Sequence, residues 1–84
     1  MNIEPGEYRH YKGPRYWVCS CATHSETGET LVVYRCLYGD YSWWVRPAAM
    51  FAEQVIVDGA SRPRFAHVGP MSFADAENEA NGNG

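Results

Sequence analysis

Apolar and polar positions alternate along most of this chain in short runs, broken by Gly, Pro and acidic residues, and that pattern predicts strands. Glu7–Tyr11 alternates, with Tyr8 and His10 on one side and Arg9 and Tyr11 on the other, until Lys12-Gly13-Pro14 breaks it. Tyr16–Thr23 follows, with Tyr16, Val18, Ser20 and Ala22 on one face and Trp17, Cys19 and Cys21 on the other. His24–Glu29 is a polar turn in which Gly28 supplies the positive φ a hairpin needs. Leu31–Tyr38 then returns antiparallel to Tyr16–Thr23, and a tight link at Gly39-Asp40 leads into Ser42–Arg46, which Pro47 ends. The stretch from Leu31 to Pro47 is the most apolar and aromatic part of the chain and supplies one wall of a small core.

Beyond it, Ala48–Glu53 consists of good helix formers but is long enough for only one or two turns, with Met50 and Phe51 capping an open end of the sheet. Gln54–Val57 is a strand closed by an Asp58-Gly59 turn. Arg62–Val68 is the last strand, restricted by Pro63 to an edge or a strand start. The expected fold is a small all-β domain, an SH3-like barrel of five or six short strands with a short helical turn. A small open antiparallel sheet with one packed helix is the alternative. Residues 1–4 read as a flexible leader, 5–70 as a single domain and 71–84 as a disordered acidic tail with a mobile Asn-Gly-Asn-Gly end.

Charge sharpens this division. Residues 1–70 carry seven Lys or Arg and seven Asp or Glu, so the formal charge of −3 comes from Asp75, Glu77 and Glu79 in the tail. A neutral domain lacks the footprint of a general nucleic-acid binder, although Arg62 and Arg64 flanking Pro63 make a small positive strip. No apolar run reaches membrane-spanning length, and the first residues lack the apolar segment of a signal peptide. Three cysteines, an odd number, fit a reducing compartment, so a cytoplasmic location is expected.

The spacings G-x-Y-x-H-x-K-G at Gly6, Tyr8, His10, Lys12 and Gly13, Y-x-V at Tyr16 and Val18, and A-x-H-S-E-T at Ala22 and His24–Thr27 occur together. They are followed by V-V-Y at Val32–Tyr34, L-Y at Leu37-Tyr38, W-V-R-P at Trp44–Pro47, M-F at Met50-Phe51 and Pro63-Arg64-Phe65. In this combination, over roughly residues 5–66, the chain resembles the small bacterial DUF1653 family. Cys19 and Cys21 depart from it, standing where family members look more aliphatic. The family is one of unknown function, so the resemblance implies a compact β domain, found alone or attached to other bacterial domains, and little chemistry.

The chemistry-bearing residues give a site hypothesis of their own. Cys19, Cys21, Cys36 and His24 are zinc-type ligands, but C-x-C on a strand puts two thiols on one side about 6.6 Å apart, and neither C-x₂-C nor C-x₄-C occurs. Core packing is the expected role of the cysteines, and no metal or cofactor is implied. His24, Ser25 and Glu26 hold the residue types of a hydrolytic triad. Adjacent turn residues seldom converge, so turn-shaping hydrogen bonds from Ser25 and Thr27 are expected. His10 and Lys12 offer a titratable ring and a mobile charge. Trp43 and Trp44 face opposite ways on a strand, one into the core and Trp43 outward, where an exposed ring near Tyr8, Tyr38 or Tyr41 forms an aromatic pocket and Arg46 pairs with an acid. The leading function is a recognition module that binds a peptide, a protein partner or a small ligand through Tyr8, His10, Lys12, His24, Glu26, Trp43 and Arg46. A small hydrolase using His, Glu or Cys is the first alternative, and RNA or single-stranded DNA binding is the other, less favoured, alternative.

Overall fold

The computed structural model describes residues 3–82; the expectations for Met1 and Asn2 in the leader and for Asn83 and Gly84 at the tail's end lie outside them. Five antiparallel strands, Gly6–His10 (β1), Arg15–Thr23 (β2), Thr30–Cys36 (β3), Trp43–Pro47 (β4) and Phe65–Gly69 (designated β7), form the main sheet in the order β4-β3-β2-β1-β7. A short helix, Ala48–Phe51 (α1), follows Pro47, and Gln54–Val57 (β5) pairs with Ala60–Pro63 (β6) as a separate two-stranded ribbon. Asp58 and Gly59 both take positive φ, 51° and 79°, the two-residue geometry whose twist matches a hairpin.

The all-β expectation holds at the level of class, but among the described residues the edge strands β4 and β7 are not hydrogen-bonded to each other and no barrel closes. The expected single strand Arg62–Val68 is two. Pro63 has no N–H to continue a ladder, and at Arg64 the backbone changes partners: its N–H donates to the Glu53 carbonyl at 2.9 Å while its own carbonyl accepts from Tyr11 N–H at 2.9 Å. The chain thereby leaves the ribbon and joins the main sheet beside β1.

The two faces of the sheet are covered differently. On the concave face Tyr8, Val18, Val32 and Tyr34 are buried together with Ala48, Phe51 and Phe65, and the Phe51 and Phe65 rings stack at 4.3 Å. Phe51 fills the core as the sequence predicted, whereas Met50 is exposed. A bulge lies between Val18 and Ser20 of β2. It resets the alternation, so that Cys19 packs with Trp17 and Leu37 while Cys21 stands opposite the core residue Val32. The two thiols therefore do not share a face, contrary to the plain strand expectation.

On the convex face the segment expected to be disordered forms a helix, Phe73–Ala80 (α2). Ser72 caps it: its hydroxyl accepts from Asp75 N–H, and the Asp75 carboxylate accepts from Ser72 N–H, a reciprocal capping box. These hydrogen bonds also hold the Asp75 carboxyl below the usual carboxylate range. Ala76 is completely buried against Trp17 and Leu37, and the Trp17 indole N–H donates to the Met71 carbonyl at 3.1 Å. Two acids of the helix pair with the sheet: Glu79 with Arg15 at 3.0 Å and Glu77 with Arg35. Composition missed this helix because a narrow apolar contact, Ala76 and the Phe73 ring edge-on to Trp17, and two pairing carboxylates hold it in place, rather than a large apolar stripe.

One glycine is forced. Gly6 has φ 140°, and a Cβ there would lie 2.5 Å from the Gly69 carbonyl oxygen, so only glycine lets β1 and β7 approach. Gly6→Ala is expected to destabilise the fold by at least about 1 kcal/mol in urea titrations; an unchanged midpoint would refute the close approach. Ala76→Asp puts a carboxylate against Trp17, and a loss of about 1–3 kcal/mol with a red shift of tryptophan emission is expected. Because Trp43 and Trp44 are already exposed, the shift reports Trp17, and unaltered emission would show that α2 is not docked there.

Candidate functional site

Strand parity assembles the site. Tyr34 is opposite Trp44 and Val32 opposite Arg46 across β3 and β4, Tyr8 is opposite Tyr16 across β1 and β2, and His10 is opposite Phe65 across β1 and β7. All of these belong to the concave face. Phe65 is the hub: the His10 ring meets it edge-on at 5.0 Å, the Tyr16 ring at 5.5 Å, and the Arg46 guanidinium lies 5.5 Å from its centroid. His10 and Arg46, thirty-six positions apart along the chain, thus flank one aromatic ring.

Two concavities adjoin this hub. One, of about 170 Å³, is walled by Tyr16, Tyr34, Cys36, Tyr38, Trp44 and Arg46. The Tyr16 and Tyr38 hydroxyls are hydrogen-bonded to each other at 3.1 Å, and that bond holds the Tyr38 phenol well above its ordinary pKa. Trp44 is 56% exposed, and its indole N–H donates to the Ser42 hydroxyl at 2.9 Å, which fixes the ring at the rim. The other, of about 540 Å³, lies at the end of β1 against β6, with Arg9, His10, Lys12 and Arg62 as its basic residues and Tyr11 and Pro63 as flat walls. No carboxylate of the described residues lines either one.

The electrostatics agree with the geometry. Burial lowers the His10 pKa first, and the positive charges of Arg64, Arg46 and Lys12 lower it further. Its Nδ1 accepts from Lys12 N–H at 3.2 Å, so the neutral ring carries its proton on Nε2. Arg46 has no carboxylate partner among the described residues, and its buried Nε has no hydrogen bond, as is also true of the Nε of Arg64. Arg64 has one acidic neighbour, Glu53, at 3.4 Å.

The seven residues singled out from the sequence separate accordingly. His10 and Arg46 flank Phe65, and Lys12 lines the larger groove with His10, while Arg46 lines the smaller cleft. Tyr8 shares the face but is buried, with its hydroxyl donating to the Glu4 carbonyl at 2.7 Å; its phenol is raised by burial first and then by Glu4. His24 and Glu26 lie past the far end of β2, roughly 25 Å of strand from its Arg15 end beside β1. There the His24 Nδ1 accepts from the backbone N–H groups of Glu26 and Thr27, and Thr27 Oγ1 accepts from Glu29 N–H, so these side chains shape the turn. Trp43 is on the opposite, convex face, edge-on to Trp17 at 5.5 Å and under the Arg35 guanidinium. Neither tryptophan enters the core, since β4 is an edge strand and α2 covers Trp17 instead. The i, i+2 rule already groups Trp44, not Trp43, with Arg46, whereas Tyr16, Tyr38, Phe65, Arg62 and Arg64 join only through the fold. Among the described residues no three His, Cys, Asp or Glu side chains cluster as metal ligands, and no helix is long and apolar enough to cross a membrane.

The family model described as "Protein of unknown function (DUF1653)" matches residues 6–67. The chain belongs to the DUF1653 family. Among solved structures it is similar to the crystal structure of a DUF1653 protein from Bordetella bronchiseptica, at 37% identity and a TM-score of 0.76, covering 84% of this chain and 94% of that one. No curated protein matches. Every residue of the two concavities lies within the DUF1653 match, and α2 lies beyond it.

Because the neutral form of His10 is favoured in the fold, stability is expected to fall as pH drops from the ordinary histidine value of 6.5 through the lower folded midpoint. An NMR titration of the His10 ring is expected to give a midpoint below that value. Arg64→Gln is expected to raise it, and by more than Arg46→Gln does. A midpoint at or above the ordinary value would contradict the cationic surroundings.

Proposed function

We propose that this DUF1653 domain is a small recognition module whose ligand face is the concave side around Phe65, and that its ligand carries both negative charge and a flat group. The observation that carries this reading is Arg46. Its guanidinium is held over Phe65 with no acidic partner among the described residues, at the edge of a cleft walled by exposed aromatic rings. A guanidinium so placed has its fork free for a planar anion, and ordering it in advance lowers the entropy lost on binding. Trp44 and Tyr38 offer ring faces beside it. The curl of the sheet over Phe51 and Phe65 supports reading the fold as an opened SH3-like barrel with this face as its groove. Free thiols at Cys19, Cys21 and Cys36 support a reducing, cytoplasmic setting.

The reading is tested by amide and side-chain NMR titration with nucleoside monophosphates, short oligonucleotides and oligoglutamate. Saturable shifts centred on the Trp44 indole, Arg46 Nε and the His10 ring are expected with at least one of these probes. Arg46→Ala is expected to weaken that binding by about 1.5–3 kcal/mol, roughly tenfold to a hundredfold, and Trp43→Ala to leave it unchanged. Shifts confined to the His24 turn or to α2, or equal effects of the two substitutions, would refute the assignment.

A further inference from the structure

We infer that the ligand of this face is a single strand of nucleic acid, with phosphates in the larger groove and a base against the aromatic wall of the smaller cleft; this rests on the ligand face proposed above. The charge distribution carries the inference. Seven Lys and Arg residues are divided by the fold. Arg15 and Arg35 are taken up on the convex face by Glu7, Glu79 and Glu77. Of the other five, Lys12 and Arg62 line the larger groove, Arg46 lines the cleft, Arg64 bears on His10 between them, and Arg9, opposite Arg15 across β1 and β2, reaches the larger groove from the convex side. Of these five only Arg64 has a carboxylate within ion-pair distance among the described residues. The −3 of the whole chain conceals this positive side, because the tail acids Glu77 and Glu79 are committed to the opposite face and Asp75 to its helix cap.

The shape selects among anions. Four cations line the two concavities, with Arg64 between them, and outnumber the charges of one monophosphate, so a polymer fits better than a nucleotide. The smaller cleft, of about 170 Å³, has room for a ring and not for a stacked pair, and Trp44, Tyr16 and Tyr38 border it. Bases of a duplex are stacked away from such a wall, whereas an unpaired base can leave its neighbours and lie on an aromatic face. An acidic peptide would satisfy the arginines but has no ring at each charged unit to use this wall. A cationic track beside an aromatic platform is the combination that single strands require.

Anisotropy of fluorescein-labelled oligouridylate and oligothymidylate, measured with the full chain over a range of salt, tests this, with a duplex of equal length and oligoglutamate as competitors. With three to five phosphates neutralised, the slope of log K against log salt is expected at about −2 to −3.5. Lys12→Ala and Arg62→Ala are each expected to flatten the slope by about 0.7. Trp44→Ala is expected to weaken binding about fivefold to a hundredfold with the slope unchanged. Melting curves matching the parent identify variants that remain folded. Duplex or oligoglutamate competing as well as the single strand would overturn the inference, as would a slope near zero. Oligonucleotides that fail while oligoglutamate or a mononucleotide still shifts Trp44 and Arg46 would overturn it too and leave the ligand face standing. Failure of every probe at that face would remove both.

Discussion

Phe65 stacks on Phe51 with ring planes only 3° apart, and the concave side of the molecule is arranged about that pair. The contact joins the helix that follows β4 to the strand that pairs with β1, the two ends of the main sheet. Without hydrogen bonds between β4 and β7, these apolar rings are what draw the edges toward each other. Tyr8, Tyr16 and Tyr34 pack around them, and each contributes large area with few torsions to freeze. The same packing that makes the core fixes Phe65 as the floor on which Arg46 and His10 meet.

The convex face meets a different demand. A sheet this small leaves its second side to water unless something covers it, and Trp17 there is almost fully buried. The covering helix brings Ala76, the Phe73 ring edge-on to Trp17, and two acids, so docking combines a modest apolar contact with charge pairing at Arg15 and Arg35. Surface ion pairs alone contribute little, and the close fit of Ala76 with the Trp17 hydrogen bond gives the pairing a fixed geometry. A consequence reaches the other side: with these acids committed to the convex face, Lys12, Arg46 and Arg62 stand without ion-pair partners among the described residues. Fold and electrostatics are thus coupled through a segment outside the family's matched region.

Most strands were legible because alternation, turn glycines and Pro47 act locally. The turn at Asp58-Gly59, the short helix after Pro47 and the antiparallel pairing of the second and third strands all follow from such signals. Three features were not legible. The break at Arg64 depends on two backbone partners, Glu53 and Tyr11, that are distant in the chain. The bulge at Cys19 reverses parity midway through a strand without a glycine or proline to mark it. The helix at Phe73–Ala80 lacks an apolar stripe of ordinary width, so its composition resembles solvated chain.

For the site, the sequence by itself determined the residue types and their parity: an arginine two positions from a tryptophan, a histidine among aromatics, and basic residues on both sides of Pro63. Those follow from the two-residue period of a strand and need no tertiary information. Only the tertiary structure decided which of them share a surface. It brought His10 and Arg46 together over Phe65, sent Trp43 to the far side, and left His24 and Glu26 at a remote turn. The reason is physical: which strands lie side by side, and which face is covered, is set by the packing of Phe51 on Phe65 and of Ala76 on Trp17. Those contacts join residues far apart in the chain and leave no local trace in it.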